Sequence, residues 1–252
     1  LPGSGAGVSV MRDDDLGETT ACATFVNTAS VGAVDVVFLC DRSGSMSGAG
    51  IAALKATLQL FLRQLPPGAR FNIVSFGSCF DGLFNASVEY NDESLAFASW
   101  AVEYFEANYR ETVIDRPLAA LMRGTTQIIL LTDGRVDGGQ RRRILDAICQ
   151  NEGRNVIHAV GLGQNVDRRL VRDIARTAGG ISAVCRNPAD LRRVVAAVTE
   201  RILRPAVSLP EVAFAPALDV VPGCLRTFTG ELPVYARVPK DLPENLLSTL
   251  TA

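Results

Sequence analysis

The chain has 252 residues, of which 25 are lysine or arginine and 27 are aspartate or glutamate, so its formal net charge is −2. Such a balance lacks the positive excess with which proteins bind nucleic acid or an anionic membrane surface. Hydrophobic residues form 48% of the chain, yet no apolar run approaches the roughly 18 residues of a membrane-spanning helix. We therefore expect a folded chain with a sizeable core, no nucleic-acid partner and no membrane span.

Residues 1–33 are rich in glycine, alanine and aspartate, and only the stretch 21–26 resembles a strand. We interpret this part as the remnant of a preceding domain or as a linker. The chain begins with Leu1 rather than methionine and reaches Ala252 soon after a proline-rich stretch. We therefore expect a fragment of a longer protein.

From residue 34 onward, β-type apolar runs alternate with amphipathic stretches of helical period. The predicted strands are 34–40, 71–76, 126–131, 156–160 and 181–185. The predicted helices are 51–65, 92–108, 141–150, 168–178 and 189–203. This alternation predicts an α/β domain over 34–203, in which a doubly wound, mostly parallel open sheet carries helices on both faces.

The helical period disappears beyond Pro205. Strand-like pieces punctuated by prolines remain at 207–214, 225–228 and 233–238. We assign residues 204–252 to a partial β-rich region that follows the α/β domain.

The six cysteines are widely and irregularly spaced, and none forms a C-x-x-C pair of the kind that binds zinc. Cys40, Cys149 and Cys185 lie within apolar segments, where a free cysteine behaves as a small hydrophobic residue. Disulfides are rare in reducing compartments. We expect reduced core thiols and a cytoplasmic protein, although an even set of six also permits disulfides in a secreted one.

A loop with alternating oxygen-bearing side chains, Asp41-Arg42-Ser43-Gly44-Ser45, follows the first predicted strand directly. It offers one carboxylate and two hydroxyls. Oxygen atoms are the ligands that Mg²⁺ prefers, in an octahedron that usually retains several waters. An acid with a few neutral hydroxyls can hold such an ion and leave one position open.

A second acid, Asp133, stands in Thr132-Asp133-Gly134 after the strand 126–131. Ligands of doubly wound sheets bind outside the carboxyl ends of the strands, where the winding reverses. Both acids should therefore face one crevice, and the best oxygen donor of the intervening loop is Thr112. The predicted metal site comprises Asp41, Ser43, Ser45, Thr112 and Asp133.

These motifs resemble the metal-ion-dependent adhesion site (MIDAS) of von Willebrand factor type A (VWA) domains, where a D-x-S-x-S loop, a downstream threonine and a later T-D-G meet. Other stretches are similar to the intracellular subgroup in which this domain follows a vault-protein/inter-α-trypsin (VIT) domain. They are LPPG at 65–68, FNI at 71–73, FGS at 76–78 and IARTAGG at 174–180. The resemblance covers roughly 34–203, and the tail around 228–236 is similar to the β segment that follows the domain.

The resemblance implies a Rossmann-like fold and a non-enzymatic role in protein–protein interaction. Ser43, Ser45 and Thr112 would give hydroxyl oxygens to Mg²⁺, or to Mn²⁺, while Asp41 and Asp133 would act mainly through bound waters. A protein partner that presents an aspartate or glutamate would then complete the octahedron.

One departure from the family pattern concerns the two residues before Thr112, where the family usually has glycines and this chain has Arg110 and Glu111. Glycine lets a backbone approach a site closely. The side chains present here would crowd the ion, or Glu111 would add an acidic ligand. Arg135 would attract an acidic partner or offset the local carboxylates.

Three other functions stay open. One is a scaffold or binding domain whose metal site is degenerate. Separately, Asp41 and the serines could serve only as a helix cap. Another is a secreted, matrix-binding relative of inter-α-trypsin inhibitor heavy chains, for which the glycosylation sequon at Asn85 is relevant. The third is an aspartyl-phosphate phosphohydrolase, but that class needs an acid where Ser43 stands and a lysine that Lys55 is poorly placed to supply.

The single histidine, His158, lies in the middle of the strand 156–160. A catalytic histidine would be expected at a strand end beside a serine. We therefore predict that His158 is a buried structural residue.

Overall fold

The computed structural model describes residues 34–122, 126–136, 138–151 and 155–203, together with strands at 4–13, 18–27, 207–208, 219–221, 227–228 and 231–238. The chain divides into two compact units, residues 33–203 and residues 1–32 with 204–252. Within the described residues, no helix is long and apolar enough to cross a membrane.

The helices are a 3-10 turn (Gly44–Met46) and α1 (Ala49–Leu62), α2 (Asp92–Glu103), α3 (Asp115–Leu121), α4 (Gly138–Gln150), α5 (Arg168–Thr177) and α6 (Pro188–Leu203). The strands are β1 (Ser4–Asp13), β2 (Glu18–Asn27), β3 (Asp35–Asp41), β4 (Arg70–Phe76), β5 (Phe80–Gly82), β6 (Val88–Glu89), β7 (Gln127–Thr132), β8 (Val156–Leu162), β9 (Ser182–Cys185), β10 (Val207–Ser208), β11 (Asp219–Val221), β12 (Thr227–Phe228) and β13 (Glu231–Val238).

The larger unit is built on a central sheet of order β5-β4-β3-β7-β8-β9, with β6 also paired to β4. The five strands from β4 to β9 in this order run parallel, and the short β5 and β6 pair antiparallel with β4 at one edge. In the middle, Leu39 of β3 lies opposite Val74 of β4 and Leu130 of β7. The predicted mostly parallel sheet is confirmed.

Two apolar cores cover the two faces of this sheet, because alternate residues of a strand point to opposite sides. Val36 and Phe38 pack in the core formed with α1, α2 and α6. Val37 and Leu39 pack in the core formed with α3, α4 and α5. Such burial on both faces explains why the strands read as continuous apolar runs.

The winding of the sheet reverses at β3. From β3 the chain crosses to β4 on one side and later enters β7 on the other side. The helices after β3 and β7 therefore lie on opposite faces, and a crevice opens between the carboxyl ends of these strands. Asp41 ends β3 and Thr132 ends β7, so the fold places the predicted oxygen donors at this crevice.

Several local predictions were wrong. The helix predicted over 92–108 ends at Glu103, the helix predicted over 51–65 ends at Leu62, and α3 was not predicted. Cys149 is exposed rather than buried, while Cys40 and Cys185 are buried as predicted. Cys40, Cys79, Cys149 and Cys185 are free thiols.

The second unit contains an antiparallel sheet of order β1-β2-β13-β11 and a two-stranded pair of β10 and β12. The sequence indicated a single strand before residue 33, whereas β1 and β2 are both ten residues long. We predicted residues 1–33 and 204–252 as separate regions. In the structure, β2 from the first region pairs with β13 from the second along eight positions. Of the stretch predicted over 207–214, residues 209–214 lie outside the described part.

Candidate metal centre

The carboxylate of Asp41 is buried at the carboxyl end of β3. Its Oδ1 accepts the backbone N–H of Ser43 at 2.9 Å, and its Oδ2 accepts the hydroxyl of Thr132. Asp41 thereby ties together the loops that follow β3 and β7. Burial raises the pKa of Asp41 to about 6, against the lowering effect of the bonds from Ser43 and Thr132, and the carboxylate of Asp133 adds to the rise.

The hydroxyls of Ser43 and Ser45 meet beside this carboxylate, with their Oγ atoms 3.1 Å apart. Ser43 is buried and Ser45 is exposed. Because Mg²⁺–oxygen distances are about 2.1 Å, adjacent ligand oxygens of an octahedron lie about 3.0 Å apart. The observed spacing fits two adjacent positions of such an octahedron, and an all-oxygen donor set suits a hard divalent cation.

The turn after β7 brings in the second acid. The Thr132 hydroxyl accepts the N–H of Gly134 at 2.8 Å while it donates to Asp41. Asp133 is only 6% exposed. Its Oδ1 accepts the N–H of Arg135 at 3.1 Å, and the Nε of Arg135 lies 3.7 Å from its Oδ2. Of the two roles that the sequence left open for Arg135, the structure favours charge compensation of Asp133.

Arg42, in the loop that follows β3, contacts several residues of the loop that follows α2. Its guanidinium carbon lies 4.6 Å from the ring centre of Phe105 and 4.5 Å from that of Tyr109. Its Nε donates to the Glu106 carbonyl at 2.9 Å, and its Nη2 donates to the Asn108 Oδ1 at 3.1 Å. The role of Arg42 was not predictable from the sequence, because these four partners are more than 60 positions away in the chain.

Backbone hydrogen bonds extend the contact between these two loops. The N–H of Tyr109 donates to the Arg42 carbonyl at 2.9 Å, and the N–H of Gly44 donates to the Arg110 carbonyl at 2.6 Å. Gly77 lies so close to Tyr109 that a Cβ at position 77 would collide with it. The segment of residues 105–110 is therefore held against the Ser43–Ser45 loop on several sides.

Thr112 lies two residues beyond this contact and is half-buried. Within 34–122, no hydrogen bond joins its side chain to Ser43 or Ser45. The structure thus gathers Asp41, Ser43, Ser45 and Asp133 in one crevice, and it leaves Thr112 next to that group without a bond to it. Glu111 is exposed, and its N–H donates to the Ser78 hydroxyl at 3.1 Å.

The described residues contain no group of three or more histidine, cysteine, aspartate or glutamate side chains that could hold a metal ion. A metal site in this part of the chain would therefore need other oxygen donors, such as hydroxyl groups. Ser43 and Ser45 are the hydroxyl pair that stands beside two acids.

The phosphohydrolase hypothesis receives no support from the geometry. The position two residues after Asp41, where such an enzyme needs an acid, is held by Ser43, whose hydroxyl bonds that of Ser45. The Nζ of Lys55 donates to the Glu103 carbonyl at 2.7 Å, at the end of α2. Such enzymes also have a D-G-x-x-D motif, which residues 133–137 match in sequence, but its second acid, Asp137, lies outside the described residues.

Comparison with known families agrees with the fold and with the motifs. Residues 34–184 match the family model of the von Willebrand factor type A domain. The chain belongs to the VWA family. Domains of this family commonly mediate protein interactions.

Individual relatives point the same way. A von Willebrand factor A domain-containing protein of Dictyostelium discoideum is 33% identical over 82% of this chain and 10% of its own length. A von Willebrand factor type A structure from Catenulispora acidiphila superposes with a TM-score of 0.69 at 21% identity, over 93% of this chain and 65% of that one. The VWA chain thus spans at most about a quarter of the length of the curated relatives.

A second similar structure contains a metal. It is proximal thread matrix protein 1 from the mussel byssus with a zinc-occupied MIDAS motif, which superposes with a TM-score of 0.54 at 15% identity. The superposition covers 84% of this chain and 50% of that one. At this identity the likeness concerns the fold.

Proposed function

We propose that this VWA domain is a non-enzymatic, divalent-metal-dependent protein-interaction module. Asp41, Ser43, Ser45, Thr112 and Asp133 would hold Mg²⁺ in the crevice between β3 and β7. The observation that carries the proposal is the pair of Ser43 and Ser45 hydroxyls, 3.1 Å apart, beside the buried Asp41 at the point where the sheet winding reverses. When bound, the ion would supply an electrophilic position for a carboxylate oxygen of a partner protein.

The residues of the chain divide this task between them. Both oxygens of Asp41 already accept protein hydrogen bonds, so Asp41 would fix the two loops and balance charge through water rather than bind directly. The Ser43 and Ser45 hydroxyls would be direct ligands. With few direct carboxylates, the positive charge would stay incompletely neutralised, which favours an aspartate or glutamate from outside.

Mg²⁺ is the proposed cation and Mn²⁺ the alternative, because all donors are oxygens of the kind these hard ions prefer. The zinc-occupied MIDAS of the mussel byssus protein supports a divalent ion at a site of this kind without selecting Mg²⁺. Zn²⁺ therefore belongs in the titrations that test the site.

The larger protein is proposed to be a cytoplasmic protein in which a VIT domain accompanies this VWA domain. The stretches similar to that subgroup and the free thiols support this placement. A secreted, matrix-binding protein remains the alternative, because Asn85 of the glycosylation sequon is exposed. Glycan on Asn85 after expression in secreting cells would favour it.

A scaffold domain with a degenerate metal site is the second candidate function. Two observations favour it. Arg110 and Glu111 occupy the places of the usual glycines, and Thr112 makes no hydrogen bond to the serine loop within the described residues. Both candidates predict a protein-binding domain, but only the first needs a metal.

Calorimetric titration of Mg²⁺, Mn²⁺ and Zn²⁺ separates the two candidates. We expect saturable heat for the wild type, none for Asp41→Ala, and at least tenfold weaker binding for Ser45→Ala. Ser47→Ala is the matched control, since Ser47 is an exposed serine in the same loop, and it should bind as the wild type does. Titrations without heat in the wild type would exclude the metal-dependent function and leave the scaffold.

A further inference from the structure

A stripe of aromatic side chains is exposed along α2. Phe97, Trp100 and Tyr104 are 47%, 60% and 68% exposed, and they follow Glu93 at the spacing that places residues on one face of a helix. Their rings form a continuous series, with centres 6.1 Å apart between Phe97 and Trp100 and 5.1 Å apart between Trp100 and Tyr104. Large aromatic side chains grouped in this way are typical of binding surfaces.

A pocket lies at the start of this stripe. It has a volume of about 380 Å³, and its lining includes the aromatic residues Phe84 and Phe97 and the acidic residues Glu89 and Glu93. The two rings are 5.7 Å apart between centres. Aromatic faces beside carboxylates form a site suited to an organic cation.

The segment around the pocket is strongly acidic. Residues 80–109 contain six acids and no lysine, arginine or histidine, in a chain whose overall charge is only −2. All six are exposed, and none forms an ion pair within the part of the chain that the structure describes. The six acids are Asp81, Glu89, Asp92, Glu93, Glu103 and Glu106. Because no ion pair within the described residues offsets their charges, these acids can attract a partner of opposite sign.

We propose that this acidic aromatic face binds a basic segment of a partner protein, with an arginine guanidinium in the pocket that Phe84 and Phe97 line. The acidic aromatic face comprises α2 and the pocket residues that precede it. Its occupant differs in charge from the acidic partner proposed for the metal site. The two sites are therefore independent, and either can exist without the other.

Arginine fits this face better than lysine does. Its guanidinium is planar and weakly hydrated, so it stacks on aromatic rings at low desolvation cost, and its fork of N–H groups matches a carboxylate. Glu89 and Glu93 offer the carboxylates and Phe84 and Phe97 offer the rings. An anionic membrane surface would be repelled by the six acids, which disfavours lipid as the occupant.

The test uses the fluorescence of Trp100, which is the only tryptophan of the chain and reports directly on this face. Nona-arginine, nona-lysine and nona-glutamate peptides are titrated into the full 252-residue chain in the presence of EDTA. We expect the fluorescence of Trp100 to change saturably with nona-arginine. With nona-lysine, the peptide concentration at half of the change should be at least fivefold higher, and nona-glutamate should cause no change.

Two variants test whether the peptide binds at the pocket. Glu93→Gln and Phe97→Ser should each raise the nona-arginine midpoint at least fivefold, with circular dichroism used to show that both remain folded. Asp146→Asn is the matched control for charge, because Asp146 is an exposed acid on α4, and it should leave the midpoint unchanged.

Other results overturn the proposal. Equal midpoints for the arginine and lysine peptides, or equal effects of Asp146→Asn and Glu93→Gln, would mean that long-range charge alone attracts the peptide. An unresponsive Trp100 would place any binding elsewhere. Sedimentation that reveals a wild-type dimer dissociated by Phe97→Ser would assign the face to a second copy of the chain instead.

Discussion

Arg110 holds the chain in a left-handed turn beside the serine loop. Its φ is 61°, and no other non-glycine residue among those described has a positive φ. Such a conformation costs an L-residue about 1 kcal/mol or more, whereas glycine adopts it freely. The hydrogen bond from Gly44 to the Arg110 carbonyl helps to maintain the turn. The family pattern of glycine near this position thus has a physical counterpart in the structure.

The residue-scale prediction compares two substitutions at this position. Arg110→Gly should be more stable than Arg110→Ala by about 1 kcal/mol, because both remove the long side chain and only alanine keeps the left-handed strain. Urea unfolding of both variants measures the difference. If Arg110→Ala equals or exceeds Arg110→Gly in stability, the turn is not strained.

Single residues of the candidate site were predictable where their spacing within one short segment of the sequence indicated their role. Asp41, Ser43 and Ser45 stand at fixed spacing after an apolar strand, so their proximity follows from the loop alone. Arg42 has no such signal, since a guanidinium between two rings requires the distant loop after α2 to fold back. Thr132 belongs to the T-D-G motif, but its hydrogen bond to Asp41 depends on the pairing of β3 with β7, which the motif does not indicate.

At the scale of elements, Arg42 links the loop after β3 to the loop after α2. Stacking against Phe105 and Tyr109, with hydrogen bonds to three further residues, uses all three nitrogens of the guanidinium. An ammonium group has neither the planarity nor the fork of donors that this arrangement requires. The position of the 105–110 segment thus depends on arginine rather than on positive charge.

We therefore expect Arg42→Lys to lower the free energy of unfolding by about 1–2 kcal/mol and to weaken any metal binding at the serine loop. Urea unfolding measures the first effect and calorimetry the second. Arg63→Lys is the matched control, since Arg63 is exposed at the end of α1, and it should change neither quantity. Equal behaviour of the two lysine variants would refute the linking role of Arg42.

A helix or strand was predictable when it was long enough to show the periodic spacing of its apolar residues. The parallel strands and the helices α1, α4, α5 and α6 follow from apolar periodicity. Tyr104 and Phe105 continue the apolar pattern of α2, so nothing local indicated its end at Glu103. The seven residues of α3 are too few to show a period.

At the scale of the whole molecule, the doubly wound sheet was predictable because parallel strands need helical crossovers, which impose alternation on the sequence. The pairing of β2 with β13 was not predictable, since it joins segments about 200 residues apart in the chain. Long-range pairing of this kind depends on the complete fold rather than on local pattern.

His158 contributes to the stability of the larger unit as a whole. It is fully buried in β8, as predicted. Its Nδ1 accepts the N–H of Ile181 at 3.3 Å, so Nε2 carries the proton and donates to the Gln127 Oε1 at 3.1 Å. The Nε2 of Gln127 in turn donates to the Ile202 carbonyl at 2.9 Å. This series joins β7, β8, the start of β9 and α6 through a neutral imidazole.

Burial, with a smaller effect from Arg201, lowers the pKa of His158 from 6.5 to about 4. Between these values the unfolded chain takes up a proton that the folded chain does not, so folding loses stability as the pH falls. The stabilisation is complete above pH 6.5 and lost by about pH 4, and the shift corresponds to about 3 kcal/mol. Asp41, with its raised pKa, acts in the opposite direction over part of this range, so the wild-type profile alone does not isolate the histidine.

The last prediction therefore concerns a difference between two profiles. The free energy of unfolding is measured by urea titration from pH 4 to pH 8 for the wild type and for His158→Gln, in which glutamine keeps polar atoms and cannot titrate. The wild-type advantage should grow by up to about 3 kcal/mol from pH 4 to pH 6.5 and then stay constant, because all other groups cancel in the difference. An advantage independent of pH would show that His158 is not held neutral in the folded protein.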